Sequence, residues 1–116
     1  MLEDISIDAL QAALRGLSQR QQAVSDNIAN VNTPYFQARR VEFEGSLRSA
    51  LAGGGNPLVD SAPSVVYTND SSGLNENNVD VNAETLIGVK TQLAYELALR
   101  ATGDRFTLVR TAVKGV

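Results

Sequence analysis

Apolar residues recur along the first part of the chain at alternating spacings of four and three: Leu10, Leu14, Leu17, Gln21, Val24, Ile28 and Val31, with Gln21 the one polar member. This is a heptad seam, and it predicts an amphipathic helix over residues 7–31, ~37 Å long, with Ile7 one step upstream and Ser6 or Asp8 placed to cap it. Gly16 weakens such a helix by about 1 kcal/mol relative to Ala without ending the pattern. Near the other end, Leu86, Val89, Leu93, Leu97 and Ala101 form a second stripe at helical spacing. Leu108 and Ala112 continue it, and Leu99, Phe106, Val109 and Val113 widen it. That helix should begin at Asn82 or Ala83, with Asp80 or Asn82 as cap and Glu84 in the first turn. Gly103-Asp104 predicts a kink or fray around residues 102–104, and Gly115 a natural end.

The middle reads differently. Glu42–Leu51 fits a short helix or an extended arm, Gly53-Gly54-Gly55-Asn56-Pro57 a flexible break, and Ser64–Thr68 a short strand with no obvious partner. Asn69–Asn78 is polar, turn-rich and expected to be mobile. The predicted fold is therefore mainly α: two long terminal helices packed as an antiparallel, coiled-coil-like pair around an irregular, partly extended middle. The chain divides into an N-terminal helix and its asparagine-rich end (1–34), a linker or arm (35–81) and a C-terminal helix (82–116). Two helices cover only part of each other's seams, so a remaining apolar stripe predicts burial against other subunits. The plainer reading is a helical hairpin whose seams satisfy each other.

The first helix stops in an unusual way. Asn27, Asn30 and Asn32 precede Thr33-Pro34 in the run SDNIANVNTPYFQARR. Asn competes with helix for nearby backbone groups and brings two donors and an acceptor that must be satisfied if buried. Pro34 lacks an amide hydrogen and turns Thr33 away from helix, which places the stop near Val31 or Asn32. Asn27, Asn30 and Pro34 are expected at junctions between subunits or between helix and loop. Local capping is the alternative for each.

Composition removes chemistry rather than adding it. The chain has no His and no Cys, so the commonest general base, thiolate metal sites and disulfides are excluded. Gly53–Gly55 is not followed by Lys-Ser/Thr and is no phosphate loop, and Asp70, Glu76 and Asp80 lack calcium-loop spacing. No catalytic residue, cofactor, small-molecule substrate or metal is expected. The net charge of −3 identifies no partner. From Ser49 to Val89 every charged residue is acidic, whereas Arg100, Arg105, Arg110 and Lys114 dominate the end. Four spaced cations without an aromatic platform suit a solvated helix face better than nucleic acid. The N-terminus lacks the basic and apolar regions of a cleaved signal, and no run of about 18 apolar residues exists to span a membrane.

The run Ser25–Pro34 resembles the SxNIANxxTP motif near the N-terminus of bacterial flagellar axial proteins, the rod, hook and hook-associated subunits. The resemblance continues through Tyr35-Phe36-Gln37-Ala38-Arg39, where Tyr35 stands in place of the family's usual Gly and puts in doubt a turn of positive φ. Asn78-Val79-Asp80 with Glu84 is similar to a stretch preceding the C-terminal helix of the proximal rod proteins, and Tyr95–Leu99 through Gly115 to that helix. The short length also fits a proximal rod subunit. Its proximal-rod neighbour, usually somewhat longer and with Thr-Thr for Thr-Pro, is the runner-up.

The resemblance implies a non-enzymatic subunit of the basal body's periplasmic rod, exported by the flagellar type III apparatus without a cleaved signal. It would polymerise helically with itself and other rod subunits and meet membrane-ring and rod-junction proteins. The assembly contacts would then be Leu10, Leu14, Leu17, Val24, Asn27, Ile28, Asn30, Val31, Asn32 and Pro34, with Leu86, Val89, Leu93, Leu97, Phe106 and Leu108. A heterologous contact of this kind builds an open filament. The same heptads would also serve a cytosolic coiled-coil adaptor or export chaperone forming a closed dimer. A small regulator binding nucleic acid through its basic helix is a third class.

Overall fold

A computed structural model describes residues 2–114. Two long helices, α1 (Leu2–Ala29) and α4 (Val81–Lys114), run antiparallel along a body of 64 × 27 × 14 Å. Ile7 lies against Arg105, Leu108 and Val109 at one end, while Leu17, Ser18 and Gln21 face Thr91, Gln92 and Tyr95 midway. A Cβ on Gly88 would stand 3.4 Å from Val24 at the other end. Between the helices in sequence come β1 (Arg39–Glu42), α2 (Glu44–Ala52), α3 (Pro57–Asp60) and β2 (Ser64–Tyr67). The expected fold class, a mainly α antiparallel pair with an irregular middle, is the one observed.

The boundaries differ in instructive ways. α1 begins at Leu2, so Ser6 and Asp8 lie inside the helix and cap nothing. It ends at Ala29, before Val31: the Asn30 amide donates to the Asp26 carbonyl at 2.8 Å, and the Thr33 hydroxyl donates to Asn30 Oδ1 at 3.0 Å. The Asp26 carbonyl is already bonded by the Asn30 backbone N–H at 3.1 Å, and past that point the backbone tightens: the Val31 and Thr33 N–H groups reach the Ile28 and Asn30 carbonyls at 3.2 and 3.0 Å, one residue short of a helical bond. At α4 the cap is Asp80, whose Oδ1 accepts from the Asn82 and Ala83 amides at 3.0 and 3.3 Å. No kink interrupts residues 102–104; the helix continues through Gly103, with Thr102 and Thr107 hydroxyls bonded back one turn to the Ala98 and Gly103 carbonyls. The expected end at Gly115 lies outside the described residues.

The middle is more ordered than its composition suggests. β2 does have a partner: it pairs antiparallel with β1, Arg39 opposite Tyr67 and Glu42 opposite Ser64. The glycine break turns into α3, whose first turn is set by Pro57 and by Asn56, the latter accepting from the Leu58 amide at 3.0 Å. Val41 and Phe43 dock on the helix pair and form the core with Leu17 and Ala23. Ala94, Tyr95 and Ala98 close it from α4. Gly16 exists for this contact, because any Cβ there would collide with the Phe43 ring.

Candidate assembly surface

α4 turns mostly small residues inward, with Glu84 and Tyr95 as the large exceptions, and exposes its leucines. Glu84, Thr91, Ala94, Tyr95, Ala98 and Thr102 form the face turned toward α1 and the ribbon. Leu86, Val89, Leu93 and Leu97 lie about half a turn away and are 55–63% exposed. Phe106 and Leu108 are also exposed, at 48 and 61%. A helix apolar on opposite sides requires two partners, and this chain supplies one of them.

The residues singled out on α1 divide otherwise. Leu17 and Val24 are core, Leu10, Leu14, Asn30 and Val31 are half-buried, and Ile28, Asn32 and Pro34 are exposed. Asn27 is wholly enclosed. Its amide donates to the Arg39 carbonyl at 2.9 Å and its Oδ1 accepts from the Arg39 N–H at 3.0 Å, so one side chain satisfies both backbone groups of a β1 residue. Asn27 thus joins helix to ribbon inside the subunit, and its buried position presents nothing to a neighbour.

The ribbon is held from the other side by the segment before α4. Asn78 Oδ1 accepts from the Ala38 N–H at 2.6 Å, while its amide donates to the Thr68 carbonyl and hydroxyl at 3.2 and 2.9 Å. Asn77 donates to the Asn30 and Thr33 carbonyls, both at 2.7 Å, which ties the end of α1 to the start of α4. Asn77 and Asn78 are both buried, so the expected mobility of Asn69–Asn78 does not extend to its last two residues. Tyr35 takes φ of 64°, so the left-handed turn is kept although the side chain disfavours it.

Charged groups complete the frame. Glu84, with no exposed surface, accepts from Arg40 Nη1 at 2.5 Å, placing a carboxylate in the first turn of α4, where the helix dipole favours it. Arg20 reaches from α1 to grip Glu44 with two bonds of 2.7 and 2.6 Å and the Val41 carbonyl with another of 2.7 Å. It also stacks 5.0 Å from the centre of the Phe43 ring. The hydrogen bonds from Arg20 hold the Glu44 carboxyl below its ordinary range, against a smaller opposing effect of burial. Sequence reading missed Arg20, Arg40, Glu84 and Asn77 as organising residues. Only Glu84 and Asn78 carried a signal, as parts of the stretch before α4.

Among the described residues no cluster of carboxylates could hold a metal, and no helix is long and apolar enough to cross a membrane.

Residues 7–37 match the family model described as flagella basal body rod protein. The flagellar basal body rod protein FlgB of Borreliella burgdorferi is 30% identical, with 94% of this chain and 96% of that protein aligned. FlgB of Bacillus subtilis is 29% identical over 95% of this chain and 94% of its own length. FlgB of Salmonella typhimurium is 25% identical over 97 and 95%.

Proposed function

The chain belongs to the FlgB family of flagellar basal body rod proteins, and on that premise we propose that it polymerises helically as a structural subunit of the proximal rod. The observation that carries this reading is the exposed row Leu86, Val89, Leu93 and Leu97 on a helix already packed on its other face. In this reading residues 1–34 and 82–116 form the axial part and 35–81 the arm. The outer row of α4, with Leu10, Leu14 and Ile28 beside it on α1, is buried against neighbouring subunits. Asn30, Asn32 and Pro34 lie at the joint, while Asn27, Leu17 and Val24 shape the subunit from within.

The function is mechanical: the antiparallel pair resists torsion and helps transmit torque from motor to hook. It needs no catalytic residue and no cofactor. Its partners are further copies, other rod subunits, the proteins joining rod to membrane ring, and the type III export apparatus, which would carry it to the periplasmic rod without a cleaved signal.

A strain lacking the gene should build no rod and no external filament, and a deletion strain that still swims would defeat the assignment. Leu93→Glu should leave the isolated chain folded, because the side chain is solvated there, and should fail to restore motility. A fully motile Leu93→Glu strain would remove the row from the interface. A closed, stable dimer retained in the cytosol would support the adaptor reading instead.

A further inference from the structure

Backbone strain and apolar exposure meet at one point. Tyr35 and Glu76 are the two non-glycine residues of positive φ among those described, at 64 and 61°. They stand on loops joined by the bond from the Tyr35 N–H to the Asn75 carbonyl, 3.0 Å. A left-handed conformation costs a residue such as Tyr about 1–2 kcal/mol. Backbone bonds hold the turn, from the Tyr35 N–H to Asn75 and from the Phe36 N–H to the Thr33 carbonyl at 3.3 Å, but the Tyr35 side chain adds nothing to them: it is 78% exposed, and Leu74 on the opposite loop is fully exposed as well. Glu76, next to Asn75, brings a negative charge to this apex and forms no ion pair among the described residues.

A groove lies elsewhere on the same molecule. It measures about 370 Å³ and opens between α1, α4 and the start of α2. Leu17, Ile87, Ala94 and Thr91 line it together with Arg20, Glu44 and Lys90. Arg20 and Glu44 neutralise each other, whereas Lys90 has no acidic partner among the described residues. An aromatic ring with Glu76 beside it fits an apolar lining with one uncompensated lysine, through burial, cation–π contact and charge pairing.

We infer that Tyr35 is a knob that seats in the α1–α4 groove of a second copy of this chain. Knob and groove lie on different parts of the subunit, so the contact is heterologous and can repeat from copy to copy, as a rod requires. The inference rests on the rod reading and gives one of its contacts an address. It also accounts for an exposed, strained Tyr where a glycine would lie without cost.

The chain has no cysteine, so introduced pairs report contacts cleanly. A chain carrying Leu74→Cys and Lys90→Cys, with the Tyr35 ring left in place, should form disulfide-linked multimers in isolated basal bodies under oxidation, whereas either substitution alone should form none. Mixing the two single variants in one cell should yield linked dimers only. Tyr35→Gly should leave the thermal midpoint of the isolated chain unchanged or raised, and should weaken assembly roughly tenfold or more, as loss of an aromatic anchor does. A purely structural Tyr35 predicts the raised midpoint with full motility, and that result overturns the knob. Absence of the double-cysteine multimers in motile cells, or a link to a protein of another sequence, overturns it too. A motile deletion strain would instead remove the rod reading itself, so the two failures are separable.

Discussion

Asn27 and Asn30 sit one turn apart on α1, and the structure assigns them very different weights. Asn27→Ala strips the Arg39 N–H of its partner and leaves the Arg39 C=O with the Arg40 guanidinium alone, at 3.1 Å, at a side chain with no exposed surface. The unsatisfied N–H costs about 1–3 kcal/mol and the lost carbonyl bond about 0.5–1.5 kcal/mol, while Ala returns at most about 0.7 kcal/mol of helix propensity. The net loss is about 1–4 kcal/mol, lower if water enters the gap. Asn30→Ala removes one bond to the Asp26 carbonyl and one from the Thr33 hydroxyl, at a site open to solvent on one side. Water replaces both, so the cost is under about 1 kcal/mol. With a urea slope of about 1–3 kcal/mol per molar, Asn27→Ala should lower the midpoint by about 1–2 M and Asn30→Ala by a few tenths. Circular dichroism at 222 nm on the dilute chain reads both without interference from assembly. Asn27→Asp sharpens the test: at neutral pH its carboxylate faces the Arg39 carbonyl and destabilises as Ala does, whereas its protonated form donates again and recovers stability on acidification. Equal shifts for the two alanine variants, or an acid-insensitive Asn27→Asp, would refute the assignment of Asn27 as the clamp.

Gly16→Ala gains helix propensity of about 1 kcal/mol but drives a methyl into Phe43, so a net loss of about 1–2 kcal/mol should appear in the same urea titration. Glu44, whose folded pKa the Arg20 hydrogen bonds hold below the ordinary glutamate value, contributes stability that is present above the ordinary value and lost as pH falls through the folded one. The stability of Glu44→Gln should therefore fall less than that of the parent chain below about pH 4.5, where protonation of the parent breaks the Arg20 contact. Glu84→Ala strands Arg40, which is only 27% exposed, and should cost about 2–4 kcal/mol. Replacing the pair together by Glu84→Leu and Arg40→Met should cost much less, and a double-mutant cycle by thermal unfolding measures the difference.

Long-period features were legible in the chain, and pairings across distance were not. The seam from Leu10 to Ile28 and the run from Leu86 to Leu97 announce helices because periodicity is a local property. Their ends were harder to place, since competing local bonds decide them: Asn30 and Thr33 stop α1 early, and the Thr102 and Thr107 hydroxyls accompany α4 past Gly103. β2 had no visible partner because β1 is four residues long and contains Arg39, Arg40 and Glu42, a composition that signals a solvated turn. Arg39 and Arg40 are satisfied by Asn27, Asp26 and Glu84, which come from both helices, while Glu42 faces solvent. A polar strand of this sort becomes recognisable only when the groups that satisfy it are in place.

The second seam teaches the larger point about what a hydrophobic stripe means. Leu86, Val89, Leu93 and Leu97 mark α4 as a helix with an apolar face, and the natural inference is that this face meets α1. It faces away. The surface packed on α1 and the ribbon is built from Gly88, Thr91, Ala94 and Ala98, with Tyr95 and Glu84 among them, and its small members let Val24 and the Leu17–Phe43 core approach α4 closely. Small side chains carry a weaker periodic signal than leucines, so the internal contact is the one a sequence hides. Had the leucines turned inward, their bulk at Gly88, Ala94 and Ala98 would have pushed the helices apart. Close packing over these small residues holds the chain together, and the large side chains Leu86, Val89, Leu93 and Leu97 stay exposed, which is the division expected of a subunit whose outer row is covered only on assembly.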